Sequence, residues 1–273
     1  MALSPASDIR LSVGRDMTSA EHYQLGWGQV AVYTAAAPHR DTGNEDAAVV
    51  IPVDANRAVL AVADGLGGQP SGAEASELAL RTLADRVIEE AGAPRVNLRT
   101  AILDGIERAN ERVADLGVGA ATTLAVVEID GYVVRPYHVG DSMTLVVGQR
   151  GKVKLATVSH SPVGYAVEAG YLGEAEAIHH ADRHLVSNIV GSPEMRIEVG
   201  RTLALRPRDT LVLATDGLFD NLHRHEIIEQ VRKGPLPAVA ETLAASGRRR
   251  MREPEPGHPC QPDDLTFLLF RTS

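Results

Sequence analysis

Three aspartates stand where predicted strands end, and they are the residues best placed to do chemistry. Asp64 and Asp216 each follow an apolar run rich in Val, Leu and Ala and precede a glycine, and Asp141 follows a third strand, which ends in Tyr137-His138-Val139-Gly140. A carboxylate at the end of a buried strand is costly to desolvate unless a cation or hydrogen-bond donors meet it. Clustered carboxylates repel one another unless metal ions neutralise them. The pattern therefore predicts a site for several metal ions on rigid strand ends.

The ligand chemistry favours hard cations. Carboxylate oxygens suit Mg²⁺ or Mn²⁺. His179, His180 and His184 are interpreted as polar loop residues, because no cysteine or further close ligand completes a zinc site.

Composition limits the class of protein. A length of 273 residues suits one large domain, predicted over residues 24–273 after a flexible arm formed by residues 1–23. The single cysteine, Cys260, excludes an intrachain disulfide framework and fits a reducing cytosol. A net charge of −9 argues against a nucleic-acid partner. No apolar stretch is long enough to span a bilayer, and the N-terminus lacks a secretory signal, so a cytoplasmic location is expected.

The first half of the chain contains strands and two long helices. The strands are predicted to form an antiparallel meander, at residues 26–37, 47–53 and 57–63. Apolar residues at helical spacing predict one helix that begins at Ser71 and another over residues 98–116. Asp130-Gly131 then predicts a hairpin between strands at 122–129 and 132–139.

The second half continues with short strands and ends in helices. The remaining strands are predicted at residues 143–147, 152–157, 196–203, 209–214 and 265–270. Residues 159–192 are irregular, with short helices at 163–169 and 173–178, and are predicted to form a mobile flap beside the site. Helices at 226–233 and 236–245 precede an arginine-rich loop. Because hairpins join the strands, the order favours antiparallel sheets with helices packed outside.

Six short motifs follow one another along nearly the whole chain, from about residue 26 to 271. They are Asn44-Glu45-Asp46-Ala47, Val62-Ala63-Asp64-Gly65-Leu66-Gly67-Gly68, Gly119-Ala120-Ala121-Thr122-Thr123, Val139-Gly140-Asp141-Ser142, Ala214-Thr215-Asp216-Gly217-Leu218-Phe219-Asp220 and Pro262-Asp263-Asp264-Leu265-Thr266. Together they resemble the signature series of the metal-dependent, type 2C serine/threonine protein phosphatases, and the compact loops resemble bacterial members.

The resemblance implies an α+β fold, a four-layer α-β-β-α sandwich of two antiparallel sheets flanked by helix pairs. It also implies two Mg²⁺ or Mn²⁺ ions at one end of the sandwich. Asp46 matches the first metal ligand, and Asp64 matches the carboxylate that bridges both ions. The Gly65 carbonyl is a further ligand, and Asp216 and Asp263 match the remaining catalytic aspartates.

The resemblance assigns outer positions as well. Glu45 matches a residue that acts through metal-bound water, and the alternative is a solvent-exposed side chain. Asp141 and Asp220 match positions that hold a third, weaker ion together with Asp216. The alternatives are backbone hydrogen bonds for Asp141 and a turn cap for Asp220. Arg40 is the candidate phosphate-binding residue, against the alternative of a surface arginine.

Three positions qualify the match. The motif series aligns Asp263 with the metal ligand in preference to the adjacent Asp264. Leu66 stands where many eukaryotic relatives have a histidine, a candidate general acid, so another group must protonate the leaving oxygen. Met143 stands where the family usually has an arginine, which removes a supporting salt bridge.

The implied activity is hydrolysis of phosphoserine and phosphothreonine in proteins by direct attack of a water or hydroxide bound to two metal ions. The implied partners are phosphoprotein substrates, including a serine/threonine kinase or its targets, and neither nucleic acid nor membrane. One alternative is a protein of this fold that binds phosphoproteins without turnover, which lost metal aspartates would indicate. The other is a two-metal esterase for a small phosphorylated metabolite, which a closed pocket lined by Arg and Lys would favour.

Overall fold

Two antiparallel sheets packed face to face form the centre of the structure. This computed structural model describes residues 9–39, 43–66, 71–117 and 119–272. The strands are β1 (Arg10–Val13), β2 (Glu21–Leu25), β3 (Gly28–Ala35), β4 (Ala47–Pro52), β5 (Arg57–Ala63), β6 (Gly65–Leu66), β7 (Ala121–Thr122), β8 (Leu124–Asp130), β9 (Val133–Val139), β10 (Met143–Val147), β11 (Val153–Ala156), β12 (Glu198–Val199), β13 (Leu203–Ala204), β14 (Thr210–Ala214) and β15 (Leu265–Thr272). The helices are α1 (Ser71–Ala91), α2 (Leu98–Asp115), α3 (Pro162–Glu168), α4 (Glu174–Ala177), α5 (Asp216–Phe219), α6 (Arg224–Val231) and α7 (Leu236–Arg252).

The first sheet has the order β1-β4-β5-β8-β9-β12, with β13 also paired to β9, and the second has the order β11-β10-β14-β15-β3-β2. Every pairing within them is antiparallel. β6 and β7 form a separate two-stranded ribbon at the end of β5.

Alternating side chains of the first sheet belong to two cores. Val50, Leu60 and Val62 pack in the core between the two sheets, whereas Val49 and Val59 pack in a core shared with α1 and α2. Alternation of this kind is expected for a strand buried on both faces. Each such side chain contributes roughly 1.5–3 kcal/mol through its burial.

The helices complete four layers. α1 and α2 pack on each other, and α1 contacts β4 and β5 of the first sheet. α7 packs on α6 and contacts β3 and β15 of the second sheet. The predicted α+β fold, a four-layer α-β-β-α sandwich, is therefore confirmed. Within the described ranges, none of the helices is both long and apolar enough to cross a membrane.

The N-terminal arm predicted over residues 1–23 is corrected where the structure describes it. β1 pairs with β4, and Arg10 lies opposite Val50. β2 is the edge strand beside β3, and the boundary predicted at residue 24 falls inside it. Both strands are short and carry polar residues, so their own sequences show no clear strand periodicity. Pairing with their partner strands is what orders them.

The predicted meander of the first three strands is also wrong. β3 lies in the second sheet, whereas β4 and β5 lie in the first. The segment between β3 and β4 therefore crosses from one sheet to the other, and it includes Asn44, Glu45 and Asp46. This crossing brings the first motif to the ends of strands from both sheets.

The arginine-rich segment after residue 246 is helix, which corrects the predicted loop. α7 continues to Arg252 past Gly247, where an added Cβ would lie 3.0 Å from Leu265 Cδ2. The glycine thus allows close packing of the helix on β15 and does not end the helix. Arg250 is buried and its Nη2 donates to Glu226 Oε1 at 2.9 Å.

Candidate metal centre

Six aspartates converge at one end of the sandwich. Asp64 and Asp216 follow β5 and β14, Asp141 follows β9, and Asp263 precedes β15. Burial raises the pKa of Asp64 well above its usual value, and four of the other carboxylates raise it further: Asp216, Asp46, Asp141 and Asp263, in decreasing order of effect. Asp220 belongs to the same group, because its charge helps to raise the pKa of Asp216. The convergence that the strand ends predict is present.

Asp46 lies in the crossing segment and takes part in one hydrogen bond within that segment and one with a distant threonine. It is 1% exposed, and its backbone N–H donates to Asn44 Oδ1 at 2.9 Å. Thr215, next to Asp216 in the chain, donates its hydroxyl to Asp46 Oδ2 at 2.9 Å. Burial raises the pKa of Asp46 well above its usual value, followed by the charge of Asp264, while hydrogen bonds from Thr266 and Thr215 lower it. A bound cation would compensate the part of the Asp46 charge that these two hydrogen bonds do not.

The backbone at Asp64 is fixed by two threonines, Thr122 at the end of β7 and Thr123 just before β8. Thr123 Oγ1 accepts from the Asp64 N–H at 3.2 Å, and Thr122 Oγ1 donates to the Asp64 carbonyl at 2.8 Å. A Cβ on Gly65 would lie 2.2 Å from the Gly72 carbonyl oxygen of α1. Glycine is therefore required at this position for β6 to approach the helix.

Asp141 has one carboxylate oxygen without a partner. It is 7% exposed, and its Oδ1 is buried with no hydrogen-bond partner among the described residues. Burial and then the charge of Asp220 raise the pKa of Asp141 to about 7, although the backbone N–H groups of Asp141 and Ser142 lower it. The carboxylate thus makes the local backbone contacts of the alternative interpretation and still presents a free oxygen.

The two adjacent aspartates before β15 have different environments. Asp264 Oδ1 accepts from the Ala37 N–H and its Oδ2 accepts from the Glu45 N–H, both at 2.7 Å. Both oxygens of Asp264 thus bind the backbone and join the first motif to the last. Asp263 accepts from the Asp264 N–H at 2.9 Å, and its charge raises the pKa of Asp64, Asp216 and Asp220. Asp263 therefore acts on more of the clustered carboxylates, whereas Asp264 acts on Asp46 and is held by the backbone.

Asp220 lies at the rim of the cluster, beside a cation from residues 159–192. Arg183 Nε lies 3.3 Å from Asp220 Oδ2. Burial raises the pKa of Asp220 to about 6, and Arg183 is the strongest of the opposing influences that lower it. Asp220 does not simply cap a turn, because its carboxylate pairs with a side chain 37 positions away in the chain.

Of the two remaining predicted residues, Glu45 and Arg40, the structure describes only Glu45. Glu45 is partly buried; its carbonyl accepts from Ser76 Oγ at 2.6 Å, and its Oε2 would lie 3.0 Å from a Cβ on Gly72. Its side chain therefore lies at the start of α1 and is not fully exposed. Arg40 lies outside the described residues.

The donor set fits hard divalent cations. It consists of carboxylate oxygens on strand ends, with raised pKa values and one unpartnered buried oxygen at Asp141. Such oxygens are the ligands that Mg²⁺ and Mn²⁺ prefer. Clustered buried carboxylates stay ionised at neutral pH only when positive charge compensates them.

The sequence did not assign some of the residues that support the cluster. Thr215, Asp264 and Arg183 touch the cluster only because distant segments meet there. Thr215 and Asp264 are adjacent to predicted ligands, so neighbourhood alone could have suggested them. Nothing in the order of residues places Arg183 beside Asp220.

Comparison with known proteins agrees with the sequence motifs. A sequence profile of the family described as protein phosphatase 2C matches residues 35–253. The chain belongs to the protein phosphatase 2C family. The protein phosphatase PhpP of Streptococcus pneumoniae is 30% identical over 210 residues, which cover 74% of this chain and 84% of PhpP. The chain is accordingly a metal-dependent serine/threonine protein phosphatase of bacterial type.

Solved structures agree with the fold. The serine/threonine phosphatase of S. agalactiae superposes with a TM-score of 0.77 at 27% identity, covering 90% of this chain and all of that one (100%). The catalytic domain of PstP, solved in complex with two manganese ions, superposes with a TM-score of 0.70 at 24% identity, covering 90% of this chain and 98% of that one. The second likeness concerns the fold alone.

Proposed function

We propose that Asp46, Asp64, Asp216 and Asp263 hold two divalent cations, Mg²⁺ or Mn²⁺, at which phosphoserine and phosphothreonine in proteins are hydrolysed. The observation that carries the proposal is the convergence of these carboxylates on strand ends of both sheets, where burial and neighbouring carboxylates, Asp263 among them, raise the pKa values of Asp46, Asp64 and Asp216. Rigid strands keep the oxygens close in spite of their repulsion, so cations are needed to compensate them.

Each residue contributes to binding and orientation. Among the neighbouring carboxylates, Asp216 and then Asp46 have the largest effects on the pKa of Asp64. This order supports the proposed role of Asp64 as the carboxylate shared between two ions. The Gly65 carbonyl is proposed as a further ligand, and Glu45 as a ligand that acts through water. When bound, two such ions lower the pKa of water and neutralise charge on the phosphoryl oxygens. Because the bound ions would supply the nucleophile, none of the side chains of the protein would need to act as one.

A third, weaker cation is proposed at Asp141, Asp216 and Asp220. The unpartnered Oδ1 of Asp141 supports it, as do the charge of Asp220, which raises the pKa of Asp141, and the charges of Asp141 and Asp220, which raise the pKa of Asp216. Arg40 is proposed to bind the substrate phosphate, since a guanidinium offers two parallel donors to it. This role rests on its place in the sequence.

The test is a phosphatase assay on a phosphothreonine peptide. We expect turnover with Mn²⁺ that EDTA abolishes, and a fall in kcat/KM of more than about 100-fold for Asp64→Asn and Asp216→Asn, because a ligand is lost. Asp85→Asn, an exposed position on α1, is the matched control and is expected to stay within about twofold. Folded protein without turnover in any metal would favour a phosphoprotein-binding role. Higher kcat/KM on sugar phosphates would favour a metabolite esterase.

The proposed partners are phosphoproteins, among them a serine/threonine kinase or the targets of one. The proposed location is the cytoplasm, supported by a single cysteine that fits a reducing compartment. The Asp64→Asn variant is expected to retain substrate longer and can be used to pull down proteins from the native cells. Phosphosite mapping of the recovered proteins would identify the substrates. Recovery of no phosphorylated protein by that variant would contradict the proposal about partners.

A further inference from the structure

His160 binds both backbone polar groups of Gly140, the residue before Asp141. The His160 N–H donates to the Gly140 carbonyl at 3.0 Å, and the Gly140 N–H donates to His160 Nδ1 at 3.1 Å. Gly140 has φ +103°, and a Cβ there would lie 2.7 Å from Thr123 Cβ. His160 is 4% exposed, so its ring is fixed inside the protein. The turn that carries Asp141 is thereby attached to one residue, through its backbone N–H and through its ring.

The hydrogen-bond partners assign the ring proton of His160. Asn188 Nδ2 donates to His160 Nδ1 at 2.9 Å. The orientation of the Asn188 amide is itself fixed, because its Oδ1 accepts from the Arg196 N–H at 3.0 Å and its Nδ2 donates to the Arg196 carbonyl at 2.7 Å. With two donors aimed at it, Nδ1 carries the lone pair. The proton is on Nε2, which donates to Glu198 Oε2 at 3.1 Å.

This assignment excludes a metal site that the same side chains suggest. One ligand atom each from His138, His160 and Glu198 lies within 4.8 Å of the others, and His138 Nδ1 is buried without a partner among the described residues. A metal on His160 Nε2 would need the proton on Nδ1, where it would point at two donors. The His138 ring instead stacks on His160 with centroids 4.3 Å apart and supports it.

We propose that His160 is a positioning residue for Asp141, acting through Gly140. By accepting from the Gly140 N–H, the ring holds the turn that carries Asp141, whose Oδ1 is buried without a partner among the described residues and whose charge acts on Asp216. The inference rests on the proposed function in one respect, namely that Asp141 helps to hold the weakest cation. It concerns the affinity of that cation and not the two held by Asp46, Asp64, Asp216 and Asp263.

Two substitutions separate the two ends of the ring. His160→Asn keeps an acceptor where Nδ1 lies and loses the contact with Glu198, whereas His160→Gln keeps a donor near Nε2 and loses the acceptor for Gly140. We expect His160→Gln to weaken the weakest Mn²⁺ about tenfold, in the range for residues that orient a metal ligand. We expect His160→Asn to stay within about threefold of the unsubstituted protein. The measurement is equilibrium Mn²⁺ binding followed by electron paramagnetic resonance of the free ion, with no substrate present.

Three controls are needed to interpret the Mn²⁺ titration. Asp141→Asn is expected to remove the weak binding, Glu198→Gln is expected to leave it unchanged, and thermal unfolding without metal checks that each variant is folded. Equal effects of His160→Asn and His160→Gln would overturn the proposal. Weakening of the tighter ions as much as the weak one would overturn it too, and so would weak binding that survives Asp141→Asn. Phosphatase activity is scored separately: its absence from the unsubstituted protein would refute the proposed function while these binding results still decide the role of His160.

Discussion

Asp263 and Asp264 show how neighbours of one type acquire opposite roles. The carboxylate of Asp264 accepts two backbone N–H groups, from Ala37 and Glu45, so it joins β3, the first motif and β15. The charge of Asp263 raises the pKa values of Asp64, Asp216 and Asp220, whereas the charge of Asp264 raises the pKa of Asp46. The chemistry of the side chain is the same in both cases, and the two backbone donors give Asp264 its role in joining the segments.

Substituting each of the two with asparagine should separate the roles. Asp264→Asn turns an NH₂ group toward a backbone donor and should lower the free energy of unfolding by about 2 kcal/mol, the range for a lost charge-assisted hydrogen bond. Asp263→Asn removes a repulsive charge and should leave the metal-free stability equal or higher, while it abolishes Mn²⁺-dependent turnover. Urea unfolding in EDTA and peptide turnover in Mn²⁺ measure the two effects. The roles would be reversed if Asp264→Asn, and not Asp263→Asn, were the stable and inactive variant.

Gly217 is required by a close approach within the site. A Cβ at this position would lie 1.8 Å from the Asp264 carbonyl oxygen, a backbone atom that cannot move away alone. Gly217→Ala should therefore lower the free energy of unfolding by about 3 kcal/mol, as overpacking of a rigid site does. Gly92→Ala is the control, since a Cβ there would meet the Glu89 carbonyl oxygen at an ordinary 3.6 Å. Similar unfolding midpoints for the two variants would show that the site relaxes more easily than its packing indicates.

At the scale of elements, the strands that end in aspartates could be predicted because their signal is local. β5 and β14 are apolar runs, β9 follows a clear hairpin signal, and these three strands are followed closely by Asp64, Asp216 and Asp141. β1, β2 and the last turns of α7 could not be predicted in the same way. β1 is ordered by pairing with β4, β2 is ordered by pairing with β3, and the end of α7 is ordered by packing against Leu265. In each case the contact is with residues outside the element itself.

Arg183 attaches residues 159–192 to the cluster. Besides Asp220, it contacts Gln261, with Nη2 donating to Oε1 at 2.9 Å. Arg183→Gln should remove about 1 kcal/mol of local stability and speed chymotryptic cleavage near Tyr171, which is 89% exposed, about fivefold. Arg224→Gln breaks a more exposed ion pair with Glu174 in α4 and should change the rate less than twofold. An unchanged rate in Arg183→Gln would mean that other contacts hold this segment, against the predicted mobile flap.

At the scale of the molecule, the sandwich collects a site from segments that are more than 200 residues apart. The contact of Thr215 with Asp46 joins residues separated by 169 positions, and that of Asp264 with Ala37 joins residues separated by 227. The motif series predicts which aspartates meet, because each marks a strand end. It does not contain His160 or Arg183, whose placement depends on how residues 159–192 return to the sheet ends.

The carboxylate cluster links metal binding to pH for the whole protein. Without metal, the pKa of Asp141 is raised to about 7 and that of Asp220 to about 6, while those of Asp46, Asp64 and Asp216 are raised well above their usual values. A carboxyl group with a higher pKa in the folded state binds more protons when folded. Its contribution to stability is therefore full below the unfolded value of 3.8 and is lost as pH rises through the folded value.

Cations compete with these protons, so the increase in Tm caused by a fixed Mn²⁺ concentration should be larger at pH 7.5 than at pH 5.5. His138 and His223 act in the opposite direction across this range, because burial lowers their pKa values and their neutral forms stabilise the fold as pH rises. The difference in Tm between samples with Mn²⁺ and with EDTA at each pH cancels their effect. Asp64→Asn should lose most of that difference at both pH values. A difference that is equal at pH 5.5 and 7.5 would mean that the cation displaces no protons, and the carboxylates would then be ionised before it binds.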